Sequence, residues 1–585
     1  MRCDRVAALL LVASFGCRAA PAQRADAGDT VDGGVGVGGL GPLDGGSKGD
    51  GSGGGRGSDG GGGDGGSLPP GTVGVITYHN DVRRTGANLR ETVLTPSAIA
   101  AHGLALAFSQ PVQGAIVTQA LYLGQLAVGS SLHDVFFVAT SADMVYAFDA
   151  ADGAAAPLWQ ATLGDPENPA RRYSRGIAST PVIDRVAGEM YVVYGTSDQP
   201  SSLDNADTAF WLAALNVHDG TVRRQTKLAA SYQRSDGTPI AFLARNQQQR
   251  PGLLLDHGAL YIGFGGRNPE ESIEFHGWLL RYDAKTFAQL GVWNASPNAV
   301  SSNGMGASEG AGIWGSSPVA DDAGDVYFLT GNALADPAHQ WYGDSAVKLS
   351  TTEGLAYDGS CTPYDPMRNL EINDVDLGSG GVLLIPGSGG RIVGGGKTGI
   401  FYLVDTVQMQ EVQHFQAFIN EYNPSFPVDS NWEGGPHLHA GPVFWQGPDP
   451  TRAYVYDWSE QDYLKSYAYL WGKGLFDDAH PTVGAVLALG GPNPTDTIMP
   501  GGMISLSANG NHDGVVWASL VRSRTMDPMY GAYPGSLYAF DAITLAELWE
   551  ANTPSIAGWA PPTVADGRVI MPTSSGEVQV YVLGP

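Results

Sequence analysis

The chain has 585 residues, of which 43% are hydrophobic and 82 are glycine, and its formal net charge is −27. This apolar content can supply a large core, and the acidic balance argues against nucleic acid or anionic lipid as the main partner. The only cysteines are Cys3, Cys17 and Cys361, which excludes a CxxCH site for covalent haem attachment.

The first 17 residues have the layout of a secretory signal. Arg2 and Arg5 precede an apolar run that is too short to span a membrane stably. The run ends in SFGC, which resembles a bacterial lipobox, and cleavage before Cys17 would leave a thiol for lipidation. We therefore expect an exported lipoprotein of the outer membrane that faces the periplasm or the cell surface. The alternative is a signal that is cut elsewhere, with Cys17 unmodified.

Residues 18–70 are predicted to be a disordered linker. They are rich in Gly and Asp, as in GGSKGDGSGGGRGSDGGGGDGG, and they cannot bury apolar area. Such a segment should behave as a flexible, self-repelling tether. The folded domain is therefore expected to comprise residues 71–585.

A short phrase recurs through this folded part. Its first four copies begin 67 residues apart, and four further copies follow at uneven intervals. Each copy alternates large apolar residues with small or polar ones and then turns, which is typical of a strand, a tight turn and another strand. The copies are VYAFDAADG (from Val145), LAALNVHDG (Leu212), LLRYDAKTF (Leu279), AVKLSTTEG (Ala346), FYLVDTVQM (Phe401), KSYAYLWGK (Lys465), LYAFDAITL (Leu537) and VQVYVL (Val578).

Eight copies of the phrase predict an all-β fold, an eight-bladed β-propeller. Helical periodicity is nearly absent, and a β repeat with aromatic marks indicates sheets that cover one another around a ring. Trp159, Trp293 and Trp549, which follow the phrase, are interpreted as packing residues between blades. Because little chain follows the last copy, an N-terminal strand near residues 74–78 or 104–108 is expected to complete the final blade.

These repeats resemble those of the pyrroloquinoline quinone (PQQ) dehydrogenases, eight-bladed propellers with the phrase YALDAxTGxxxW. The likeness extends from the YHND of residues 78–81 to Leu583. The same repeat also marks non-catalytic propellers of outer-membrane assembly, so the repeat alone leaves the function open. A more specific likeness is carried by WGSSPVADDAGDVYFLTGN, residues 314–332, which follows a pattern of the dehydrogenases.

The resemblance implies roles for four residues of a quinone site. Trp314 would lie under the quinone plane, and Asn332 would ligate calcium. Asp374, which follows Asn332 by the family's interval of 42 residues, would be the catalytic base and a calcium ligand. Lys397, in GKTGIFYLVD, stands where the family has an arginine near the quinone.

Further positions of the family can be matched in the surrounding segments. Arg175, in YSRG, resembles the arginine that holds a quinone carboxylate, and His437, in GGPHLHAGP, falls where the family shows Gly-Gly-x-Asn. Glu271 is our choice for the calcium-ligating glutamate, with Glu270 and Glu274 as rivals in the same loop. The family's adjacent cysteine pair over the quinone is absent here, which leaves the ceiling of the pocket unassigned.

The resemblance therefore implies an exported quinoprotein that oxidises a small alcohol or polyol with PQQ and Ca²⁺. Asp374 would be the general base, and the electrons would pass to an external acceptor. One alternative is a non-catalytic PQQ-repeat propeller that acts as a scaffold or binding protein in the cell envelope. A third possibility is a propeller carbohydrate lyase or hydrolase.

Several of these residues also have structural explanations. Asp374 and Asp376 stand beside a Leu-Gly-Ser-Gly-Gly turn, where carboxylates usually cap backbone N–H groups. Asn332 follows a glycine and could be a left-handed turn residue. Trp314 could be another packing tryptophan of a blade.

The sequence also contains a His-x-His pair, His437 and His439. On a strand, both imidazoles would point to one face and could hold a metal ion. No third ligand is evident from the sequence, so the pair alone does not predict a metal site.

Overall fold

The structure, a computed structural model, describes residues 73–154, 156–166, 176–197, 208–267, 275–298, 310–315, 317–363, 375–417, 437–489, 500–523, 533–556 and 558–585. These residues form an all-β, eight-bladed propeller, as the repeats predicted. The predicted signal, with Cys17, and the predicted linker lie outside the described residues. None of the helices in the described part of the chain has the length and apolar character that crossing a membrane requires.

The first described segment provides four elements before the repeats begin. They are β1 (Gly74–Val75), β2 (Ala87–Asn88), helix α1 (Pro96–His102) and β3 (Leu104–Pro111). Helix α1 begins after Thr95, because the Thr95 hydroxyl accepts a hydrogen bond from the Ala98 N–H and Pro96 occupies the first turn. It ends at Gly103, whose φ of +63° suits glycine.

The first three blades follow one another in the chain. Blade 1 contains β1, β4 (Leu121–Val128), β5 (Ser131–Ala139), β6 (Met144–Asp149) and β7 (Trp159–Thr162). Blade 2 contains β8 (Val182–Asp184), β9 (Glu189–Thr196), β10 (Ala209–Asn216) and β11 (Val222–Lys227). A hairpin, β12 (Ser231–Gln233) and β13 (Pro239–Ala241), and a 3₁₀ turn (Ala244–Asn246) precede blade 3. Blade 3 contains β14 (Gln247–Gln248), β15 (Leu254–Asp256), β16 (Ala259–Gly266), β17 (Trp278–Asp283) and β18 (Gln289–Asn294).

Blades 4 to 6 have four strands each. Blade 4 contains β19 (Val319–Ala320), β20 (Val326–Leu329), β23 (Ala346–Ser350) and β24 (Ala356–Cys361). The pair β21 (Ala335–Asp336) and β22 (Trp341–Tyr342) flanks a 3₁₀ turn (Pro337–His339). Blade 5 contains β25 (Val382–Leu384), β26 (Arg391–Gly395), β27 (Ile400–Asp405) and β28 (Gln410–Gln416), after a 3₁₀ turn (Leu377–Ser379). Blade 6 contains β29 (Val443–Trp445), β30 (Arg452–Asp457), β31 (Tyr463–Leu470) and β32 (Leu475–Leu487).

Blade 8 joins the two ends of the propeller. Blade 7 contains β2, β33 (Met503–Asn509), β34 (His512–Val521), β35 (Gly535–Asp541) and β36 (Glu547–Thr553). Blade 8 contains β37 (Thr563–Ala565), β38 (Arg568–Thr573), β39 (Glu577–Leu583) and β3. Since β3 pairs with β39 from Leu104 opposite Leu583, the predicted strand near residues 104–108 completes the final blade. The other predicted segment, near residues 74–78, instead contributes β1 to blade 1.

Each copy of the recurring phrase forms the third strand of its blade, counted outward from the axis and leaving out the N-terminal strands β1 and β2. These strands are β6, β10, β17, β23, β27, β31, β35 and β39. The phrase marks this strand because its apolar residues face both neighbouring blades, while the turn after it starts the outer strand. One copy therefore corresponds to one blade.

The hydrophobic core is divided among the eight interfaces between neighbouring blades. Trp159 packs between blades 1 and 2, Trp293 between blades 3 and 4, and Trp549 between blades 7 and 8. Tyr122 of blade 1 packs with Ile570 of blade 8 and closes the ring. The tryptophans after the phrase therefore have the packing role that the sequence predicted.

An N-terminal segment, residues 73–91, contacts the first strand of every blade, and we call it the belt. It pairs with blade 1 through β1 and with blade 7 through β2. The belt's backbone carbonyls accept hydrogen bonds from blades 2, 4, 5 and 6, and the donors are the N–H groups of Ile183, Ala320, Leu384 and Phe444. The Arg84 side chain reaches the Leu253 carbonyl in blade 3, and the Asn88 amide reaches the Val564 carbonyl in blade 8. The belt thus ties all eight blades together at the axis.

Arg84 anchors the middle of the belt. Its side chain is buried, with the residue only 1% exposed, yet it carries a positive charge. Burial lowers the pKa of Arg84 to about 10, and the neighbouring Asp81 carboxylate opposes this shift. The guanidinium is satisfied by oxygen acceptors, which are Thr77 Oγ1, Tyr78 O, Asp81 O, Pro318 O and Leu253 O. Most of these acceptors are main-chain carbonyls whose positions are fixed by the fold.

Candidate functional site

The candidate site lies at one end of the propeller axis. Because neighbouring strands are antiparallel, the segment that leads into a blade's first strand and the segment that leaves its second strand lie at the same end. Blades 4, 5 and 6 each place chemically active side chains on both segments. The leading segments carry Trp314, Asp376, His437 and His439, and the leaving segments carry Asn332, Lys397 and Glu460.

Asp376 and Lys397 form a buried ion pair between the two segments of blade 5. The Asp376 Oδ2 lies 2.7 Å from the Lys397 Nζ, and the Lys397 N–H donates a hydrogen bond to the Asp376 carbonyl. The Asp376 Oδ1 accepts a hydrogen bond of 2.9 Å from the Asn332 backbone N–H. This one carboxylate therefore connects blades 4 and 5 at the axis.

The pKa of Asp376 is lowered although the residue is buried. Burial disfavours the charged carboxylate, but the Lys397 ammonium and the Asn332 N–H favour it more. The Asp376 carboxylate is therefore an anion at neutral pH. Its charge is balanced by the Lys397 ammonium, so the pair adds no net charge to the site.

The Trp314 indole lies directly beside this ion pair. A Cβ atom added at Gly331 would lie 2.3 Å from the Asp376 Oδ1 and 3.1 Å from the Trp314 Cδ1, so glycine is needed where the two side chains approach. The Phe275 ring packs edge-on against the indole, with 6.1 Å between the ring centroids. Trp314 is 7% exposed and lines a pocket on the axis.

Arg250 occupies the space between two indoles of this pocket. Its guanidinium carbon lies 5.2 Å from the Trp314 ring centroid and 4.3 Å from the Trp559 ring centroid. These distances are those of cation–π contacts. The lining of the pocket includes Tyr78 of the belt, Arg250, Trp314, Ser379, His439 and Trp559.

Two histidines and a glutamate of blade 6 lie together next to the same pocket. The His439 Nε2 is 3.3 Å from the Glu460 Oε1, and the His437 backbone N–H donates to the Glu460 Oε2 at 3.3 Å. The His437 and His439 ring centroids are 5.5 Å apart, and the His439 ring meets the Trp559 ring edge-on. Glu460 is fully buried.

His437 is a neutral imidazole at physiological pH. Burial and then the Lys397 ammonium lower the pKa of His437 to about 3, and the Asp376 carboxylate opposes the shift. His437 therefore offers the site nitrogen lone pairs rather than a positive charge.

The structure brings four of the predicted site residues to one end of the axis. They are Trp314, Asn332, Lys397 and His437. Four other predictions lie outside the described residues, and these are Asp374, Arg175, Glu271 with its rivals Glu270 and Glu274, and Cys17. Asp376, which the sequence also allowed as a turn-capping carboxylate, accepts a main-chain N–H and pairs with Lys397.

Sequence reasoning missed Glu460, Arg250 and Trp559. Glu460 had no usable signal, because it is the third residue after β30 whereas Lys397 is the second residue after β26, so an alignment of the second strands does not superimpose the two. Arg250 and Trp559 had a positional signal, because each stands four residues before a first strand, β15 or β37, as His439 stands four residues before β29.

The fold is similar to those of several solved quinoprotein structures. A quinohemoprotein alcohol dehydrogenase from Pseudomonas putida HK5 matches with a TM-score of 0.56 and 15% identity over 87% of this chain and 80% of its own. A quinohemoprotein alcohol dehydrogenase from Comamonas testosteroni matches with a TM-score of 0.53 and 16% identity over the same shares of the two chains. A europium-containing methanol dehydrogenase matches with a TM-score of 0.53 and 14% identity over 87% of this chain and 98% of its own.

These likenesses confirm the predicted propeller type at the level of the fold. No family model matches the sequence, and no curated protein matches it significantly. At such low identity the solved structures share the architecture with this chain, and the chemistry has to be argued from its own residues.

Proposed function

We propose that the protein is a quinoprotein oxidoreductase that binds PQQ in the axial pocket and oxidises an alcohol or polyol. The observation that carries this proposal is the convergence of the Trp314 indole with the Asp376–Lys397 ion pair and Asn332 at the axis. These side chains come from two blades and are distant in sequence. Trp314 lines the axial pocket, and the meeting of these residues beside that pocket is the arrangement expected of a ligand site.

The described residues fit a planar anionic cofactor. PQQ is a flat tricarboxylate, and it requires an aromatic face and nearby cations. Trp314 supplies the face, while Arg250 and Lys397 supply the cations. Since the Arg250 guanidinium lies over the Trp314 ring, a bound quinone would replace this cation–π contact by stacking, and Arg250 would pair with a carboxylate.

The calcium part of the proposal depends on residues outside the described ranges. Calcium takes about six to eight oxygen ligands. Among the described residues, Asn332 and Asp376 lie together, but the Asp376 oxygens already contact the Lys397 Nζ and the Asn332 N–H. Glu271 and Asp374 are therefore needed as further protein ligands.

The residues of this chain would bind, orient and move a proton. When bound, PQQ supplies a two-electron acceptor for the hydride of the alcohol, and Ca²⁺ supplies a Lewis acid. Trp314 would support the plane of the cofactor, and the Asp376–Lys397 pair would hold the neighbouring segments of blades 4 and 5 in place. Asp374 takes the hydroxyl proton on its carboxylate as general base. An external electron acceptor would be required as a partner to complete the reaction.

Reconstitution with PQQ and Ca²⁺ tests this proposal. We expect the purified protein to bind the quinone and to reduce a dye in the presence of an alcohol. Asp374→Asn should keep quinone binding and lose at least about a hundredfold in rate, because the base is removed. Asp236→Asn, at an exposed turn, is the control and should keep full activity. Dye reduction that is unchanged in Asp374→Asn would remove Asp374 from this role.

The second candidate function is a binding propeller without a cofactor. It is favoured by Arg250, because the Arg250 guanidinium already fills the space between Trp314 and Trp559. Both indoles therefore contact a cation of the protein itself. The same experiment distinguishes the two candidates. The Arg250→Ala variant opens the space between Trp314 and Trp559. If neither this variant nor the wild-type protein binds the quinone or reduces the dye, the binding propeller is favoured.

We also propose that the mature protein is exported and held at the outer membrane by a lipid on Cys17. The lipobox-like SFGC and the Gly- and Asp-rich residues 18–70 support this proposal. Cys17→Ser should abolish incorporation of labelled fatty acid and release the protein from the membrane fraction. Labelling that persists in this variant would contradict the proposed anchor.

A further inference from the structure

His437, His439 and Glu460 form a cluster at the site end of blade 6, which we call the blade 6 triad. One candidate ligand atom from each residue can be chosen so that all three atoms lie within 4.8 Å of one another. The two histidines precede β29 and Glu460 follows β30, so the antiparallel pair holds the three residues at one level. The Glu460 N–H also donates to the His437 carbonyl at 3.1 Å, which fixes the two segments together.

The alternation of the chain directs both imidazoles to the same side. Leu438, between them, is fully buried in the core between blades 5 and 6, and its carbonyl accepts a hydrogen bond from the Ser379 hydroxyl. In an extended segment the neighbouring side chains point the other way. His439 accordingly lines the axial pocket, and His437 lies near Lys397 and Asp376.

The separations in the triad are close to those of a metal site. Zinc binds imidazole nitrogen and carboxylate oxygen at about 2.0 to 2.2 Å, so neighbouring ligand atoms of a tetrahedral ion are about 3.3 Å apart. The His439 Nε2 and the Glu460 Oε1 already have this separation. No two of the three ligand atoms are more than 4.8 Å apart. The widest separation between two ligand atoms would therefore have to shrink by at most about 1.5 Å, which side-chain rotation can provide.

We propose that the blade 6 triad binds one divalent transition-metal ion of the zinc type, with its fourth coordination position open to the axial pocket. Two imidazoles and one carboxylate suit zinc and its neighbours, whereas calcium requires oxygen ligands. Three protein ligands with an open fourth position are typical of a metal that binds water or a pocket ligand. His439, which contacts Trp559, places that position toward the pocket.

The surrounding charges permit a cation at this place. Lys397 is balanced by Asp376, and Arg250 is held over Trp559 and Trp314. Glu460 brings the negative charge of the triad itself. The proposal does not rest on quinone chemistry, because all three ligands are protein atoms, but it gives His437 a metal ligand role in place of a quinone contact.

Metal titration of the full chain tests the triad. The protein is freed of metal with a chelator and titrated with Co²⁺, followed by visible absorption, and with Zn²⁺, followed by calorimetry, without any quinone. We expect one tight equivalent per chain and the absorption of tetrahedral cobalt. His439→Ala and Glu460→Gln should each weaken binding by at least about tenfold.

His480→Ala is the matched control, because His480 is an exposed histidine that also pairs with a carboxylate, Asp477, at 2.9 Å. It should bind metal as the wild-type protein does. If His439→Ala does not fold, the near-isosteric Glu460→Gln and a His437→Ala variant decide the question. Absence of a stoichiometric site, or triad variants that bind like wild type, would overturn the proposal. Since no quinone is present, this result is independent of the PQQ proposal.

Discussion

The belt and the site end of the axis both contain buried charges, but those charges are balanced in different ways. In the belt, the Arg84 guanidinium donates mainly to main-chain carbonyls, among them Pro318 O and Leu253 O. At the site end, the Lys397 ammonium pairs with the Asp376 carboxylate. In the belt, backbone carbonyls stabilise the buried charge. At the site end, a side chain of opposite charge does so.

This difference separates a structural role from a functional one. The Leu253 and Pro318 carbonyls directly precede the first strands of blades 3 and 4 and cannot leave Arg84 unless those blades move, so the belt is a permanent connection. A side-chain pair can open by rotation and give its charges to a ligand of matching sign. The site end is therefore the part of the axis where an anionic cofactor or a metal ion can be received at low structural cost.

The largest expected effect is on the belt. Arg84→Met removes the hydrogen bonds that connect the belt to blades 3 and 4 and leaves buried carbonyls unsatisfied. We expect the free energy of unfolding to fall by about 4 kcal/mol, measured by denaturant titration. Arg83→Met is the control, because the Arg83 side chain is part-exposed and pairs with the exposed Asp322, so its loss should cost less than about 1 kcal/mol. Equal losses in the two variants would mean that Arg84 does not anchor the belt.

A smaller effect is expected at the site end. Lys397→Met leaves the Asp376 carboxylate buried without its cation and should cost about 3 kcal/mol of stability. The double variant Lys397→Met/Asp376→Asn should recover most of this loss, because the neutral amide can still accept the Asn332 N–H. A double-mutant cycle by thermal unfolding measures the coupling. Additive losses would show that the two side chains do not act as a pair.

The third prediction concerns pH dependence at Asp143, a buried carboxyl that contrasts with Asp376. Asp143 is 0% exposed, and burial raises its pKa to about 8, with the Ile177 N–H opposing the shift. The folded state then keeps the proton up to about pH 8, while the unfolded chain loses it near the ordinary value. The free energy of unfolding of the wild-type protein should therefore fall as pH rises from about 4 to 8. The Asp143→Asn variant should not show this fall, because its amide does not ionise, and asparagine also tolerates the φ of 55°.

The measurement for this third prediction is denaturant unfolding of both proteins across this pH range. The difference in unfolding free energy should grow by more than about 1 kcal/mol in favour of Asp143→Asn. A difference that stays constant with pH would mean that the Asp143 carboxyl ionises normally in the folded protein.

The repeats allowed most of the fold to be predicted from the sequence. Each phrase is a local pattern of a single strand, so eight copies could be counted without knowledge of any long-range contact. The closing strand was narrowed to two segments, of which residues 104–108 proved right. The belt was not predicted, because it has no repeat and most of its contacts are backbone hydrogen bonds, which leave little trace in the side chains.

The site was predictable only where a residue carried a recognisable pattern. Trp314 and Asn332 had a motif, and Lys397 had a position within a repeat. Glu460 has neither, and its place beside His439 depends on the pairing of β29 with β30, which brings two separate segments to one level. The position of Arg250 between two indoles depends on three blades at once and could not follow from any one segment.

The central claim is that the site end receives a planar quinone on the Trp314 indole. Equilibrium dialysis of PQQ against the purified chain tests it most directly, with Trp314→Ala compared with Trp471→Ala, a partly buried tryptophan at the rim of blade 6. We predict one bound PQQ per chain for wild type and Trp471→Ala, and binding at least about tenfold weaker for Trp314→Ala. No binding by the wild-type protein, or equal binding by Trp314→Ala, would contradict the account.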